Sequence, residues 1–104
     1  MGKGYKQISQ VEAKKIMDSE ECIILDVRTE QEYNENHIFD AVLLPLDRVE
    51  KEIENFISDK DLKILVYCRS GVRSKEASKI MANKGYKNVL EFGGIVTWPF
   101  DVVQ

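Results

Sequence analysis

Leu62-Lys63-Ile64-Leu65-Val66-Tyr67-Cys68-Arg69-Ser70-Gly71-Val72-Arg73-Ser74 joins the strongest apolar run of the chain to a polar, glycine-containing loop. Leu62 to Tyr67 is rich in aliphatic and aromatic residues and predicts a strand. From Arg73 onward Ala77, Ile80 and Met81 recur at helical spacing, until Gly85 offers a residue suited to a left-handed helix end. The stretch therefore reads as strand, loop and helix.

Elements of the same two kinds alternate on both sides of it. Upstream, Ser9-Gln10-Val11-Glu12 has capping-box spacing, and Ala13, Ile16 and Met17 follow on one face of the helix it opens. Cys22 to Val27 predicts a strand whose consecutive apolar residues suit burial on both faces, as in a parallel sheet. Thr29-Glu30-Gln31-Glu32 opens a short second helix, and Ala41 to Leu44 is an apolar run stopped by Pro45. Asp47 is a candidate cap for a third helix, in which Val49, Ile53, Phe56 and Ile57 form one apolar stripe. Downstream, Asn88 to Phe92 predicts a last strand, Gly93-Gly94 a turn, and Ile95 to Trp98 a helical turn before Pro99. Strands alternating with helices imply right-handed crossovers and an α/β fold, a three-layer α/β/α sandwich on a mainly parallel sheet. Ligands of such folds sit beyond the carboxyl ends of the strands, which directs attention to the segment leaving Tyr67.

The length of 104 residues is that of one domain, expected to span 1–104. Leu, Ile, Val and Phe make up roughly 30% of it, above the about 20% below which chains tend to stay disordered. With 15 basic and 18 acidic residues the formal net charge is −3, so no nucleic-acid partner is expected. No apolar run approaches the about 18 to 20 residues of a membrane span, and no membrane partner is expected. Met1 to Lys6 has no apolar stretch, and Lys6 stands where a myristoylation signal wants Ser or Thr. Two cysteines, Cys22 and Cys68, do not make a disulfide framework and fit a reducing compartment; the cytoplasm is the expected location.

The segment Cys68 to Ser74 has the residue types of a nucleophile site that holds an anion. A thiol attacks as the thiolate, and a helix N-terminus with unpaired N–H groups, together with nearby arginines, lowers its pKa. Gly71 permits backbone conformations that let N–H groups converge on one point, while Arg69 and Arg73 add fixed positive charge. A strand-end cysteine beside a Ser-Gly turn and two solvated arginines is the plainer alternative.

With these residues in place the sequence resembles the rhodanese-like sulfurtransferases, in their single-domain form, over nearly its whole length. Leu25-Asp26-Val27-Arg28, Glu32-Tyr33, His37-Ile38, Pro45-Leu46, Tyr67-Cys68-Arg69-Ser70-Gly71, Gly85-Tyr86, Asn88-Val89, and Gly93-Gly94-Ile95 with Trp98 carry the resemblance. It implies a parallel five-stranded sheet flanked by helices and a persulfide carried on Cys68. It also implies ping-pong transfer: Cys68 takes sulfane sulfur from thiosulfate or another persulfide donor, sulfite leaves when the donor is thiosulfate, and a thiol, cyanide or protein acceptor removes the sulfur. Arg69, Ser70, Gly71, Val72 and Arg73 would bind the substrate, and no metal or organic cofactor is implied. His37, the one histidine, has no partner at metal-ligand spacing.

Related phosphatases and arsenate reductases use a loop one residue longer, sized for a tetrahedral oxyanion; Cys68 to Arg73 counts six residues, and Tyr67 stands where those enzymes often have His. Sulfur transfer is favoured over a small cysteine phosphatase or arsenate reductase on that spacing, with an idle interaction module as the other alternative.

The remaining polar and aromatic residues read as structural. Cys22 opens its strand while Cys68 closes another, placing them at opposite ends of a parallel sheet. Asp26 and Arg28 are expected to give structural support, through an Arg28–Glu32 ion pair or through Asp26 capping nearby N–H groups. His37 is expected to be structural, and Trp98 and Phe100 to pack rather than form an acceptor platform. Phe39-Asp40 stands where the family usually has Pro-Gly, so Asp40 has to tolerate a left-handed turn. A small single domain also leads us to expect a shallow cysteine in an open site.

Overall fold

The computed structural model describes residues 4–104, so the Met1 to Lys3 part of the amino-terminal reading lies outside the described residues. In chain order the elements are β1 (Lys6–Gln7), α1 (Gln10–Ser19), β2 (Ile23–Asp26), α2 (Glu30–Glu35), β3 (His37–Ile38), β4 (Val42–Leu43), α3 (Leu46–Phe56), β5 (Lys63–Cys68), α4 (Val72–Asn83), β6 (Asn88–Gly94), a 3-10 turn (Ile95–Thr97) and β7 (Val102–Val103). The main sheet has five strands in the order β1-β6-β5-β2-β4, and every pairing in it is parallel. β3 and β7 form a separate antiparallel pair. Among the described residues no helix is long and apolar enough to cross a membrane.

Alternation along the central strands makes the layers. Ile64, Val66 and Cys68 point to one face with Leu25 and Val27, where α3 contributes Val49 and Ile53 and α4 contributes Ala77 and Met81. Leu65 and Tyr67 point to the other with Ile24, against Ala13 and Ile16 of α1 and the aromatic residues Phe92 and Trp98. This is an α/β/α sandwich with two cores, and both faces of β5 are buried, as its unbroken apolar run requires.

Ser9 caps α1 by accepting the Glu12 N–H, and Thr29 with Glu32 forms a complete reciprocal capping box on α2. Three local expectations are corrected. Pro45, not Asp47, is the residue before α3: its fixed φ of −55° suits a helix entry, and Asp47 lies in the first turn, where a carboxylate favours the positive end of the helix dipole. Phe56 is exposed, because α3 ends there and the chain turns so that Ile57 enters the core in its place. Gly93-Gly94 is the end of β6 rather than a turn, with Cys68 paired to Gly94 after a register shift beyond Val66. β1, β3 and β7 are two-residue strands that local patterning does not mark.

Candidate active site

β5 lies between β6 and β2 at the middle of the sheet, and Cys68 is its last residue. The chain then makes three residues of loop and enters α4 at Val72, with Gly71 as the residue before the helix at φ 111°. That left-handed conformation, strained for any side chain, turns the Gly71 N–H back toward the cysteine. It donates to Cys68 Sγ at 3.0 Å, and the N–H groups of Ser70 and Ser74 converge on the same sulfur. Ser74 Oγ lies 3.5 Å from Sγ. Burial pushes the Cys68 thiol up, but its hydrogen bond with the Ser74 hydroxyl and those from the N–H groups of Ser74, Gly71 and Ser70 outweigh it, and the net direction is down.

The Gly93-Gly94 end of β6 is the floor of this loop. A Cβ on Gly94 would lie 2.0 Å from the Arg69 carbonyl oxygen, so the loop rests directly on glycine backbone. The Val96 N–H donates to that same carbonyl at 3.2 Å and holds the loop from the far side. Because the loop backbone wraps the sulfur this closely, Cys68 is only 1% exposed. The expectation of a shallow cysteine is corrected: N–H groups can reach an anion at hydrogen-bond distance only by enclosing it. Val72, at the crown of the loop, is 75% exposed.

The two loop arginines differ. Arg73 donates through Nη1 and Nη2 to Glu32 at 2.7 and 2.9 Å, a forked pair that holds the Glu32 carboxyl at about 2, the Thr29 hydrogen bonds assisting against partial burial. Arg73 also feels the charge of Cys68. Arg69 is exposed, and its guanidinium makes no ion pair or hydrogen bond among the described residues. Glu32 therefore pairs with Arg73 and not with Arg28.

Arg28 bonds Asp26 instead, with Nη2 to Oδ2 at 2.7 Å and Nε to Oδ1 at 3.0 Å, and Nη2 also reaches the Asn36 carbonyl. Asp26 Oδ1 accepts the Arg28 N–H at 2.9 Å, and Oδ2 accepts the Tyr67 hydroxyl at 2.6 Å. Burial, then the neighbouring Asp26, push the Tyr67 phenol strongly up, so it acts as a neutral donor. Asp26 and Arg28 are both buried.

Other sequence expectations can be placed. Cys22 precedes β2 and Cys68 ends β5, and the parallel register of Ile23 with Ile64 and Asp26 with Tyr67 sets them at opposite ends; both thiols are free. His37 stacks on Tyr33 with ring centroids 3.7 Å apart, and its Nδ1 is 2.9 Å from the Tyr33 carbonyl oxygen. Trp98 is packed between Phe92 and Phe100, at 5.3 and 5.0 Å between centroids. Asp40 adopts φ 69°, the left-handed turn expected of it. One residue of the site was not singled out from the sequence: Glu91, whose Oε2 lies 2.5 Å from Ser74 Oγ. Its signal is a lone acid within the apolar run from Val89 to Phe92.

Known proteins share this architecture. The chain is 35% identical over 95 residues to the thiosulfate sulfurtransferase GlpE of Coxiella burnetii, covering 90% of this chain and 87% of that protein. It is 32% identical over 99 residues to the tRNA uridine(34) hydroxylase of Erwinia tasmaniensis, covering 90% of this chain and 28% of the relative. The crystal structure of a rhodanese-related protein from Thermoplasma volcanium superposes with a TM-score of 0.83 at 25% identity, over 95% of this chain and 98% of the other. Residues 9–99 match the family described as the rhodanese-like domain, and with the cysteine loop and the parallel sheet already described, this chain belongs to the rhodanese-like sulfurtransferase family.

Proposed function

We propose that this protein transfers sulfane sulfur through a persulfide on Cys68, taking it from thiosulfate or another persulfide donor and passing it to a thiol, cyanide or a protein acceptor. The convergence of the Ser70, Gly71 and Ser74 N–H groups on Cys68 Sγ carries the reading. Donors so arranged favour the thiolate before reaction and the persulfide anion after it. In the first half-reaction the thiolate attacks the outer sulfur of thiosulfate. The sulfur–sulfur bond of the donor breaks, and sulfite leaves with the bonding pair. In the second, the acceptor attacks that outer sulfur and the Cys68 thiolate leaves.

An added sulfur projects about 2 Å beyond Sγ, which brings the reactive atom outward from a buried cysteine. Exposed Arg69 is suited to drawing in a dianionic donor. Arg73 supplies positive charge from a fixed position, Ser70 and Gly71 supply backbone donors, and Val72 shapes the rim. Asp26 and Arg28 hold the adjoining strand end in place.

The test is the intact mass of the reduced protein before and after thiosulfate, with Cys68→Ser as control and sulfite followed in the same reaction. One added sulfur atom, absent from the variant and matched by sulfite, is the expected result. No gain from thiosulfate and none from a low-molecular-weight persulfide would overturn the proposal and leave the fold as an interaction module.

A further inference from the structure

β6 carries a carboxylate into the interior at Glu91, which is 2% exposed. Its Oε2 accepts the Gly93 N–H at 3.0 Å and lies 2.5 Å from Ser74 Oγ, and its Oε1 accepts from Gln7 Nε2 at 3.3 Å. Among the described residues no Lys, Arg or His forms an ion pair with it. A buried carboxylate without a cation is costly unless hydrogen bonds or a proton compensate it.

The hydroxyl between Glu91 and the cysteine has one proton to give. Ser74 Oγ lies 3.5 Å from Cys68 Sγ, 2.5 Å from Glu91 Oε2 and 3.0 Å from the Gly71 carbonyl oxygen. With Glu91 ionised, the closest acceptor is the carboxylate, and the hydroxyl then turns a lone pair toward sulfur, an arrangement that suits a thiol and opposes a thiolate. With Glu91 protonated, the carboxyl donates to Oγ and the Ser74 hydroxyl is released to donate to the thiolate. The state of the sulfur and the state of the carboxylate are therefore opposite ends of one hydrogen-bond chain.

We infer that Glu91 is a positioning residue that accepts the Cys68 proton by way of the Ser74 hydroxyl. The Sγ–H bond breaks as its proton passes to Ser74 Oγ, while the proton Ser74 already held passes to Glu91 Oε2. One negative charge moves from carboxylate to sulfur and the buried net charge is unchanged. This deepens the reading of Cys68 as the nucleophile and rests on it.

Among the described residues, few other titratable or charged groups act on these hydrogen-bonded side chains. From the segment preceding β1, the Tyr5 phenol feels the Glu91 charge; from α4, Arg73 feels the sulfur, with Glu32 matching its charge. Gln7 of β1 and Gln10 of α1 face β6 as neutral amides, the latter donating to the Phe92 and Gly94 carbonyls.

Two sites that share one proton titrate in two macroscopic steps. The test follows thiolate ultraviolet absorbance against pH in the full chain carrying Cys22→Ser, with the Cys22→Ser/Cys68→Ser protein subtracted. The expected profile has a lower step in the carboxylate range, a plateau across neutral pH and an upper step in the alkaline range. Glu91→Gln keeps the shape of the side chain and holds it in the neutral state, so the profile is expected to collapse to a single lower step with the upper one lost. Ser74→Ala removes the hydroxyl that links the two groups, leaves Glu91 in place and is expected to lose the lower step instead, so either variant suffices if the other fails to fold by circular dichroism. A single step in the parent overturns the inference, and so does a lower step that survives Ser74→Ala, since that is coupling through space alone. No sulfur donor is present, so this result is independent of the mass test above.

Discussion

At the residue scale, Arg69 and Arg73 lie four positions apart and have different partners. Arg73 gives both terminal nitrogens to Glu32, whereas Arg69 is exposed and, among the described residues, without a partner. If Arg69 meets the donor, Arg69→Ala removes one charge-assisted contact worth about 1.5 to 3 kcal/mol, which raises KM for thiosulfate by roughly tenfold or more. The expected effect on kcat is smaller, and the KM difference shrinks as salt screens the exposed charge. Steady-state kinetics at two ionic strengths check this, and an unchanged KM would remove Arg69 from donor binding. Gly94 shows the opposite sensitivity, because a methyl group there would strike the Arg69 carbonyl and displace the loop.

At the element scale, Glu32 does two jobs at the start of α2. It accepts the Thr29 N–H at 3.0 Å as half of the capping box, and it receives the Arg73 fork. Its folded carboxyl titrates at about 2, below the ordinary 4.5, so its contribution to stability is fully present above about pH 4.5 and is lost as pH falls toward 2. Glu32→Gln is expected to lower stability by about 1 kcal/mol at pH 7, allowing for solvent screening of a partly exposed pair. The gap from the parent protein closes as the pH falls through that window. Urea melts at pH 7, 5 and 3 measure it, and a gap that stays constant would mean that the cap geometry, rather than the charge, carries the effect. The capping box itself was legible from Thr29 and Glu32, since their spacing is local. The Arg73 partner was not, because it lies 41 positions from Glu32 and only the fold brings the starts of α2 and α4 within reach of each other.

At the scale of the whole molecule, the buried group Asp26, Arg28 and Tyr67 ties the strand ends together. Tyr67 donates to Asp26 and accepts the Ile38 N–H at 3.1 Å, and Arg28 reaches the Asn36 carbonyl at 2.7 Å, so β2, β5 and the start of β3 meet at one carboxylate. Arg28→Ala leaves that carboxylate buried without its cation, and a loss of about 3 to 5 kcal/mol is expected. Chemical denaturation of the variant checks this, and a loss below about 1 kcal/mol would show that solvent enters and replaces the guanidinium. The expected Arg28–Glu32 pair failed at this scale: both partners were named, but the choice among nearby acids was made by burial.

Short-range rules carry a reading as far as the pattern is local. The apolar run of β5, the period of α4 and the capping signals of α1 and α2 are local, and they were enough for an α/β sandwich with a cysteine at the carboxyl edge of a central strand. Gly71 at φ 111° was readable for the same reason, because φ is a property of one residue, whereas the left-handed turn of Asp40 at φ 69° was readable only through the Pro-Gly that the resembled family usually has there. Tertiary structure alone decided the enclosure of Cys68, the contact of Gly94 with the Arg69 carbonyl, and the meeting of Glu91 with Ser74 across 17 residues. Those depend on where β6 lies against β5 and α4, and in particular on the register shift after Val66 that pairs Cys68 with Gly94. A hydrophobic pattern specifies which face of a strand is buried, whereas the partner of a buried polar atom is set by distances of a few tenths of an ångström between segments far apart in the chain.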